Sequence, residues 1–526
     1  MSATATAEGI ARLADEVLAG VGRPKDHWEV AAALEVSGMR DVDARGHGCE
    51  GVFELAERIF AAAGDRPAPP PPRPARRAPV VWRFLKAYVT GLLFSMPMAA
   101  QTFAMMLFGY SLWAWVDAGP TQATAVALGT LASFVVTGGA AQAIGRRGLF
   151  YIHQEEHILT KAICNRALGI GLVLIAAVGL GLLVINALFE LFPWPMVAQA
   201  QLYYGALSVL WLCFSILYML RKESLLALVV VVGLLTVHVA ILLLEWRMVA
   251  AHMLGITVAI VLALVCGVYI LQRNARRAER EFTTTELPRY SMLLYAVAQY
   301  FWYGCLYFAF LFADRLLAWS ADTGRELLPY VIWFDSRYEL GMDWALFCFV
   351  LTVGVLEFTI QEFSDSVIPA ERATRGREAE RFNRRFARFY YGQLVLFVVV
   401  SALSVVIAWV GMSILRATGE FDYIHVFFNP TTTSVFWWAA VGYVFLVFGL
   451  FNSVFLFSLS RPAFVLRALL PALAVNVAVG FVLSRAVRYD LAVVGLTLGS
   501  LVFLLISSYY ARQVFRRLDY YYYSAY

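Results

Sequence analysis

The side chains in this sequence best placed to do chemistry are the charged and amide residues inside its long apolar runs. Glu357 stands well inside one run, with Gln361 one helical turn on along the same face. Asp314 and Arg315 close another run. Gln101 lies near Pro97, Asn476 near Pro471, and Gln299, His238 and Asn452 sit in further runs. A charge in hydrocarbon is costly, so it normally faces an aqueous path or a partner. Glu357 is too deep for its short side chain to reach the headgroups easily. It is expected either to line a translocation path as a charge or to be a hydrogen-bonded packing residue. Adjacent residues on a helix point in different directions, so Asp314 and Arg315 are not expected to pair with each other. Arg315 is expected to snorkel outward and leave Asp314 facing another helix, as pathway residues or as boundary anchors. The amides and His238 read more simply as helix–helix hydrogen bonds than as substrate contacts. Pro97 and Pro471 mark kinks, where freed carbonyls need a polar neighbour or water.

Two patterns borrowed from soluble enzymes carry less. His153-Gln154-Glu155-Glu156-His157 spells H-x-x-E-H, a zinc-peptidase pattern. That chemistry needs a further acidic ligand and a closed domain, so a solvated amphipathic loop helix is expected there. Asp41-Val42-Asp43 has the D-x-D form used by nucleotide-sugar transferases, but it lies in a tail too short to hold such a domain. There is no GxxxxGK[ST] nucleotide loop. The six cysteines (Cys49, Cys164, Cys213, Cys266, Cys305 and Cys348) form no CxxC and read as buried free thiols. No metal ligand set and no cofactor are expected.

The elements that must position these residues are set by composition. Of 526 residues, 61% are hydrophobic and 15% charged, against about a quarter charged in a soluble domain. That excludes a soluble enzyme, a nucleic-acid-binding protein and a disulfide-stapled secreted module. Runs of about 20 apolar residues, each able to cross ~30 Å of hydrocarbon, recur at 89–116, 121–143, 167–188, 202–220, 224–244, 251–271, 292–314, 344–363, 389–415, 435–457, 463–484 and 490–511. They are apolar on all faces, which fits helices and not barrel strands. The fold class predicted is an all-α integral membrane protein with about twelve transmembrane helices.

Before these runs, residues 1–65 form a net acidic tail with room for about three short helices. Asp26 is expected to cap one of them, with Glu29 as its capping-box partner. Residues 66–86 read as a Pro/Arg-rich linker, partly polyproline II around Pro69–Pro72. Orientation follows from the short loops. Arg146, Arg147, Lys161 and Arg166, Arg221 and Lys222, Arg273 to Arg280, and Arg372 to Arg388 mark cytoplasmic connections; 315–343 is acid-rich and placed outside. Arg485 and Arg488 break the rule mildly. Both termini are therefore expected inside.

Long basic connections at 144–166 and 364–388 suggest two halves of six helices, about 87–271 and 290–511, within a transporter domain of 87–526. Leu112-Trp113-Ala114-Trp115-Val116-Asp117 and Leu316-Leu317-Ala318-Trp319-Ser320-Ala321-Asp322 give faint repeat support. Parallel halves would be related by an axis along the membrane normal, with the substrate path between them. Arg381, Arg384 and Arg385 belong to an arginine-rich connection that could dock anionic lipid headgroups or an acidic patch on a cytosolic protein. Aromatic residues reach 15%, concentrated at Tyr300–Tyr303, Tyr307-Phe308, Trp437-Trp438 and Tyr520–Tyr523. Such rings suit the C–H faces of sugars, or lipid and interface.

Tyr300-Phe301-Trp302-Tyr303 through Phe312-Ala313-Asp314-Arg315-Leu316-Leu317-Ala318-Trp319, followed by Tyr338-Glu339-Leu340-Gly341-Met342-Asp343, resembles the exporter subunit of the Pel exopolysaccharide machinery, the PelG family. That family is similar to the polysaccharide flippases and multidrug exporters of the MOP superfamily. The resemblance covers about residues 80–526. It implies a MATE-like, non-enzymatic transporter in the bacterial inner membrane that moves an amino-sugar-rich polysaccharide outward. It also implies a cytoplasmic glycosyltransferase and small membrane proteins as partners, with membrane lipids around it and no nucleic acid. The acidic tail and proline linker depart from the family pattern. Other readings of the same chain are a lipid-linked oligosaccharide flippase, a drug or cation antiporter, and an integral-membrane polymerase or glycosyltransferase. The last usually needs a large external loop bearing catalytic acids.

Overall fold

The computed structural model describes residues 3–21, 24, 26–64, 78–278, 289–321, 331–373, 379–418 and 429–523. The chain forms two compact units, one of Met1–Trp82 with Ser364–Phe382 and one of Arg83–Phe363 with Asn383–Tyr526.

In the first unit, four helices build a small core of their own: α1 (Ala3–Val21), α2 (His27–Val36), α3 (Asp41–Arg45) and α4 (Val52–Gly64). The apolar faces meet at Ala14, Val30, Leu34, Leu55 and Ile59. Asp26 caps α2 by accepting the Glu29 N–H at 2.9 Å. The D-x-D pair is local scaffolding. Asp41 accepts the Val52 N–H at 2.9 Å. The Asp43 carboxyl is held below the usual range by the backbone N–H and guanidinium of Arg40. The polyproline reading of Pro69–Pro72 lies outside the described residues.

Twelve described helices of 20 residues or more follow: α5 (Val80–Phe108), α6 (Pro120–His153), α7 (His157–Phe189), α8 (Trp194–Met219), α9 (Glu223–Leu242), α10 (Met248–Ala278), α11 (Tyr290–Trp319), α12 (Ser336–Ala373), α13 (Ala379–Thr418), α14 (Pro430–Ser458), α15 (Pro462–Ala486) and α16 (Ala492–Arg516). A short α17 (Leu518–Tyr523) ends the described chain. Eleven are long and apolar enough to cross a membrane; α5 is the exception by composition. Prolines open α6, α14 and α15 at the first turn, where a missing N–H costs nothing. Asn429 caps α14 by accepting the Thr431 N–H. Among the described residues the regular structure is helical, apart from one isolated bridge between Tyr110 and Trp115.

Several boundaries differ from the expectation. The basic connection 144–166 is no loop: α6 and α7 run through it and join in a turn at Gln154–Glu156, where Glu155 has φ 61°. His153 and His157 therefore belong to different helices and share no helical face. The acid-rich connection is shorter than expected: α11 runs to Trp319 and α12 starts at Ser336, so Tyr338, Glu339 and Asp343 are helical and not loop residues. Helix α5 starts at Val80, inside the stretch read as linker. The two Leu…Trp…Asp segments offered as a repeat differ in conformation: Ser111–Trp115 is a turn closed by hydrogen bonds, while Leu316–Trp319 is helix.

Packing between α5–α10 and α11–α16 is reciprocal. Helix α5 crosses α12 where Gly91 faces Gly354, and a Cβ built on Gly91 would stand 2.8 Å from the Gly354 Cα. Helix α6 crosses α11 where Gly138 and Gly139 face Gly304, Phe301 and Phe308. Glycine is required at both crossings because backbone meets backbone, as in membrane helix pairs generally. The first helix of one set packs on the second helix of the other, twice over.

Candidate functional site

The polar residues of the membrane unit gather in two places. One is the seam between the two sets of helices, at the end that carries the basic connections. Glu357, half-buried on α12, pairs with Arg221 from the turn between α8 and α9 and accepts a 2.6 Å hydrogen bond from Gln361. One turn further, Glu362 pairs with Arg83 of α5. Tyr88 of α5 donates to the Leu351 carbonyl of α12 at 2.8 Å, and Phe84 meets Phe358 edge-on at 5.2 Å.

The turn that presents Arg221 is tight. Arg221 has φ 53°, and its N–H and that of Lys222 return to the Tyr218 and Leu217 carbonyls. A left-handed conformation at a non-glycine residue costs on the order of 1–3 kcal/mol, and such strain persists where surroundings over-determine it. The corresponding turn of the second set, between α14 and α15, has the same shape. Ser460 has φ 54°, and the N–H groups of Ser460 and Arg461 return to Phe457 and Leu456. Ser460 also reaches across the seam: Arg146 of α6 donates to its hydroxyl at 2.7 Å and lies 5.2 Å over the Tyr300 ring of α11. Each left-handed turn thus grips the second helix of the opposite set. In one the turn supplies the cation and the helix the acid; in the other the helix supplies the cation.

The second gathering lies within α11–α16. Asp314 and Arg315 are both buried, at 0% and 6% exposure. Arg315 does not snorkel. It donates to Glu339 at 3.0 Å and to the Leu311 carbonyl at 3.1 Å, and lies 5.3 Å over the Phe312 ring. The acid at the start of α12 supplies a counter-charge inside the fold, so the guanidinium stays in. Asp314 accepts the Tyr338 hydroxyl at 2.6 Å, while its other carboxylate oxygen has no partner among the described residues. The two sequence segments that carried the resemblance, 312–319 and 338–343, therefore meet side by side.

The remaining candidates do local work. Gln101 accepts the Leu112 N–H at 2.7 Å and holds the turn after α5. Asn476 of α15 donates to the Phe310 carbonyl of α11 at 2.8 Å. Asn452 ties α14 to Tyr390, Ser507 and Ser508. His238 shares a 2.7 Å hydrogen bond with Tyr110. Gln299 is exposed on α11. Arg381, Arg384 and Arg385 lie exposed on one face of α13, opposite the buried Phe382 and Phe386. Arg485, one of the two exceptions to the charge rule, donates to the Leu317 carbonyl and the Ser320 hydroxyl; the other, Arg488, pairs with Asp490 at 2.6 Å. No metal-binding cluster occurs among the described residues.

Sequence reading missed Arg83, Glu362 and Ser460 as partners, and used Arg146 and Arg221 only for orientation. Glu362, next to Gln361 at the end of its run, was the available signal for an acid on the seam. Nothing in the sequence announced Ser460. His252, buried and sharing a 2.8 Å hydrogen bond with the Tyr203 hydroxyl, was also missed.

Two sets of six long helices, reciprocally crossed and joined by a polar seam, make a MATE-like fold. The fold likeness is measured against a MATE transporter in the straight conformation (TM-score 0.57, 13% identity, 84% of this chain and 98% of that one). A eukaryotic MATE transporter gives TM-score 0.55 at 12% identity, with 85% and 99% covered. A Vibrio cholerae MATE transporter in the bent form gives 0.53 at 13%, with 84% and 98% covered. The chain belongs to the PelG exopolysaccharide exporter family, whose pattern matches residues 76–523. No curated protein matches it. It is a multi-pass membrane transporter or flippase, not an enzyme.

Proposed function

We propose that this protein exports a nascent, amino-sugar-rich exopolysaccharide across the bacterial inner membrane along a path between two six-helix halves, about 87–271 and 290–511. The basic connections and both termini face the cytoplasm in this reading. Polymer enters from a cytoplasmic glycosyltransferase, and the exposed Arg381/Arg384/Arg385 face of α13 docks anionic lipid headgroups or an acidic patch on that enzyme.

The observation that carries the reading is the reciprocal seam. Two rigid halves can rock about the glycine crossings only if something holds them at one end and releases them. In this reading the Arg221–Glu357 and Arg146–Ser460 grips, with Arg83–Glu362 beside the first, do that on the cytoplasmic side. Glu357 then works as a charge, meeting Arg221 when the entrance is closed and facing the polymer's hydroxyls and amines when it is open. Charge pairs at a partly solvated seam are worth little individually, about 0–1 kcal/mol, which suits a contact that must break in every cycle.

The test is secretion from cells carrying variants at normal protein level. Glu357→Gln should lose most secretion and Glu357→Asp should retain some. Arg221→Glu should match Glu357→Gln, and the exchange Arg221→Glu with Glu357→Arg should recover part of it. Full secretion from Glu357→Gln would overturn the role of the charge.

A further inference from the structure

Helix α10, the last of the first six, carries two kinds of surface on one face. Its buried stripe is Ile256, Ala259, Ala263, Leu271 and Ala275, the side that packs into the bundle. The exposed stripe begins as Val261, Leu264 and Val265, at 52%, 40% and 59% exposure, and continues through Tyr269 at 61%. It then changes character within one turn to Gln272, Arg273, Arg276 and Arg277, all exposed. A cavity of about 440 Å³ is lined by Tyr269, Gln272, Arg273, Arg276 and Arg277.

We propose that this cavity is a binding site for one anionic phospholipid, its headgroup phosphate held among Arg273, Arg276 and Arg277 and its acyl chains lying along Val265, Leu264 and Val261. The spacing fits one leaflet. At 1.5 Å per residue, Val265 to Arg276 spans roughly 17 Å, against about 15 Å for half the hydrocarbon core. Tyr269 falls between the two, with an apolar ring for the chains and a hydroxyl for the headgroup, as aromatic residues do at membrane interfaces. Guanidinium groups bind phosphate in fork geometry, and three within about one helical turn surround it as a single charge could not. None of the three has a hydrogen-bond or ion-pair partner among the described residues. Basic residues at a helix end also serve to orient a membrane protein. What singles out these three is the cavity they line and the unbroken apolar stripe leading to it. The proposal stands apart from the export reading and uses none of its residues.

Full-length protein in neutral detergent, supplemented with phosphatidylglycerol, phosphatidylcholine or inorganic phosphate, tests it by native mass spectrometry and thermal unfolding. Phosphatidylglycerol should be retained and should raise the unfolding midpoint, with phosphatidylcholine retained far less. Each arginine replaced by Gln should weaken retention about fivefold, and all three on the order of a hundredfold. Val265→Asp, which breaks the acyl stripe and leaves the arginines intact, should also weaken it. Arg467→Gln, at an exposed arginine of α15 outside this cavity, should leave that retention in place. Equal retention of both lipids, unchanged binding in the triple α10 variant, or stabilisation by inorganic phosphate that Val265→Asp leaves untouched would each overturn it.

Discussion

Arg315 shows how a single buried charge organises its surroundings. Among the described residues its guanidinium is the cation that the carboxylates of Asp314, Glu339 and Asp343 share as a near neighbour, and Glu339 is its direct partner. Breaking a buried pair by removing one member is destabilising by about 3–5 kcal/mol, because the other is left uncompensated. Removing the arginine leaves three carboxylates; removing Glu339 leaves the arginine with two. Arg315→Gln should therefore cost the full amount and lower yield sharply, whereas Glu339→Gln should cost clearly less. Thermal unfolding of the purified variants measures the order, and equal losses would contradict it. Sequence alone singled out both residues and set Asp314 facing another helix, as it does, but had the direction of Arg315 wrong. The reason is physical: snorkelling is the default for an arginine near a helix end, and only a partner from a distant segment overrides it. Glu339, read as an outer-loop acid, was that partner.

At the scale of elements, the helices were nearly all legible, because a bilayer demands about twenty apolar residues per crossing and the twelve runs show it. Their partners were not. Hydropathy reports what faces oil, and in a bundle every face is oily. Gly91, Gly138, Gly304 and Gly354 look no different in sequence from Gly145 or Gly411, yet a side chain at the first four would strike the opposing helix, and at the last two it would meet open space. Gly304→Ala should then wedge α11 from α6, since the obstacle is Gly138 backbone and cannot rotate away. Gly411→Ala on α13 should be neutral, or stabilising by about 0.5–1 kcal/mol through helix preference. Comparing their unfolding midpoints separates packing from propensity; a similar midpoint for both would mean the crossing yields easily. The long basic connections 144–166 and 364–388 were read as loops because charge runs look solvated, but helices that outrun the bilayer are equally charged.

For the whole molecule, the charge asymmetry and the paired left-handed turns bear on one question: whether the two halves move as rigid bodies. Orientation comes first. In a background lacking the six cysteines, Ser366→Cys and Ser320→Cys should label oppositely with an impermeant thiol reagent in intact cells, with Ser320→Cys on the outer side; equal labelling would remove the proposed topology. Rigidity is then read at the seam. Arg221 and Ser460 occupy corresponding turns, yet they grip different helices and share no side-chain contact. If each six-helix half is rigid, loosening one grip must loosen the other, because both close the same entrance. Ser460→Cys in inside-out vesicles reports the second turn, and Glu357→Gln disables only the first. Labelling of Ser460→Cys should therefore quicken when Glu357→Gln is added, although Glu357 belongs to the other grip. A rate that stays the same would mean that the two turns open independently, and that the reciprocal geometry is a packing arrangement without mechanical coupling.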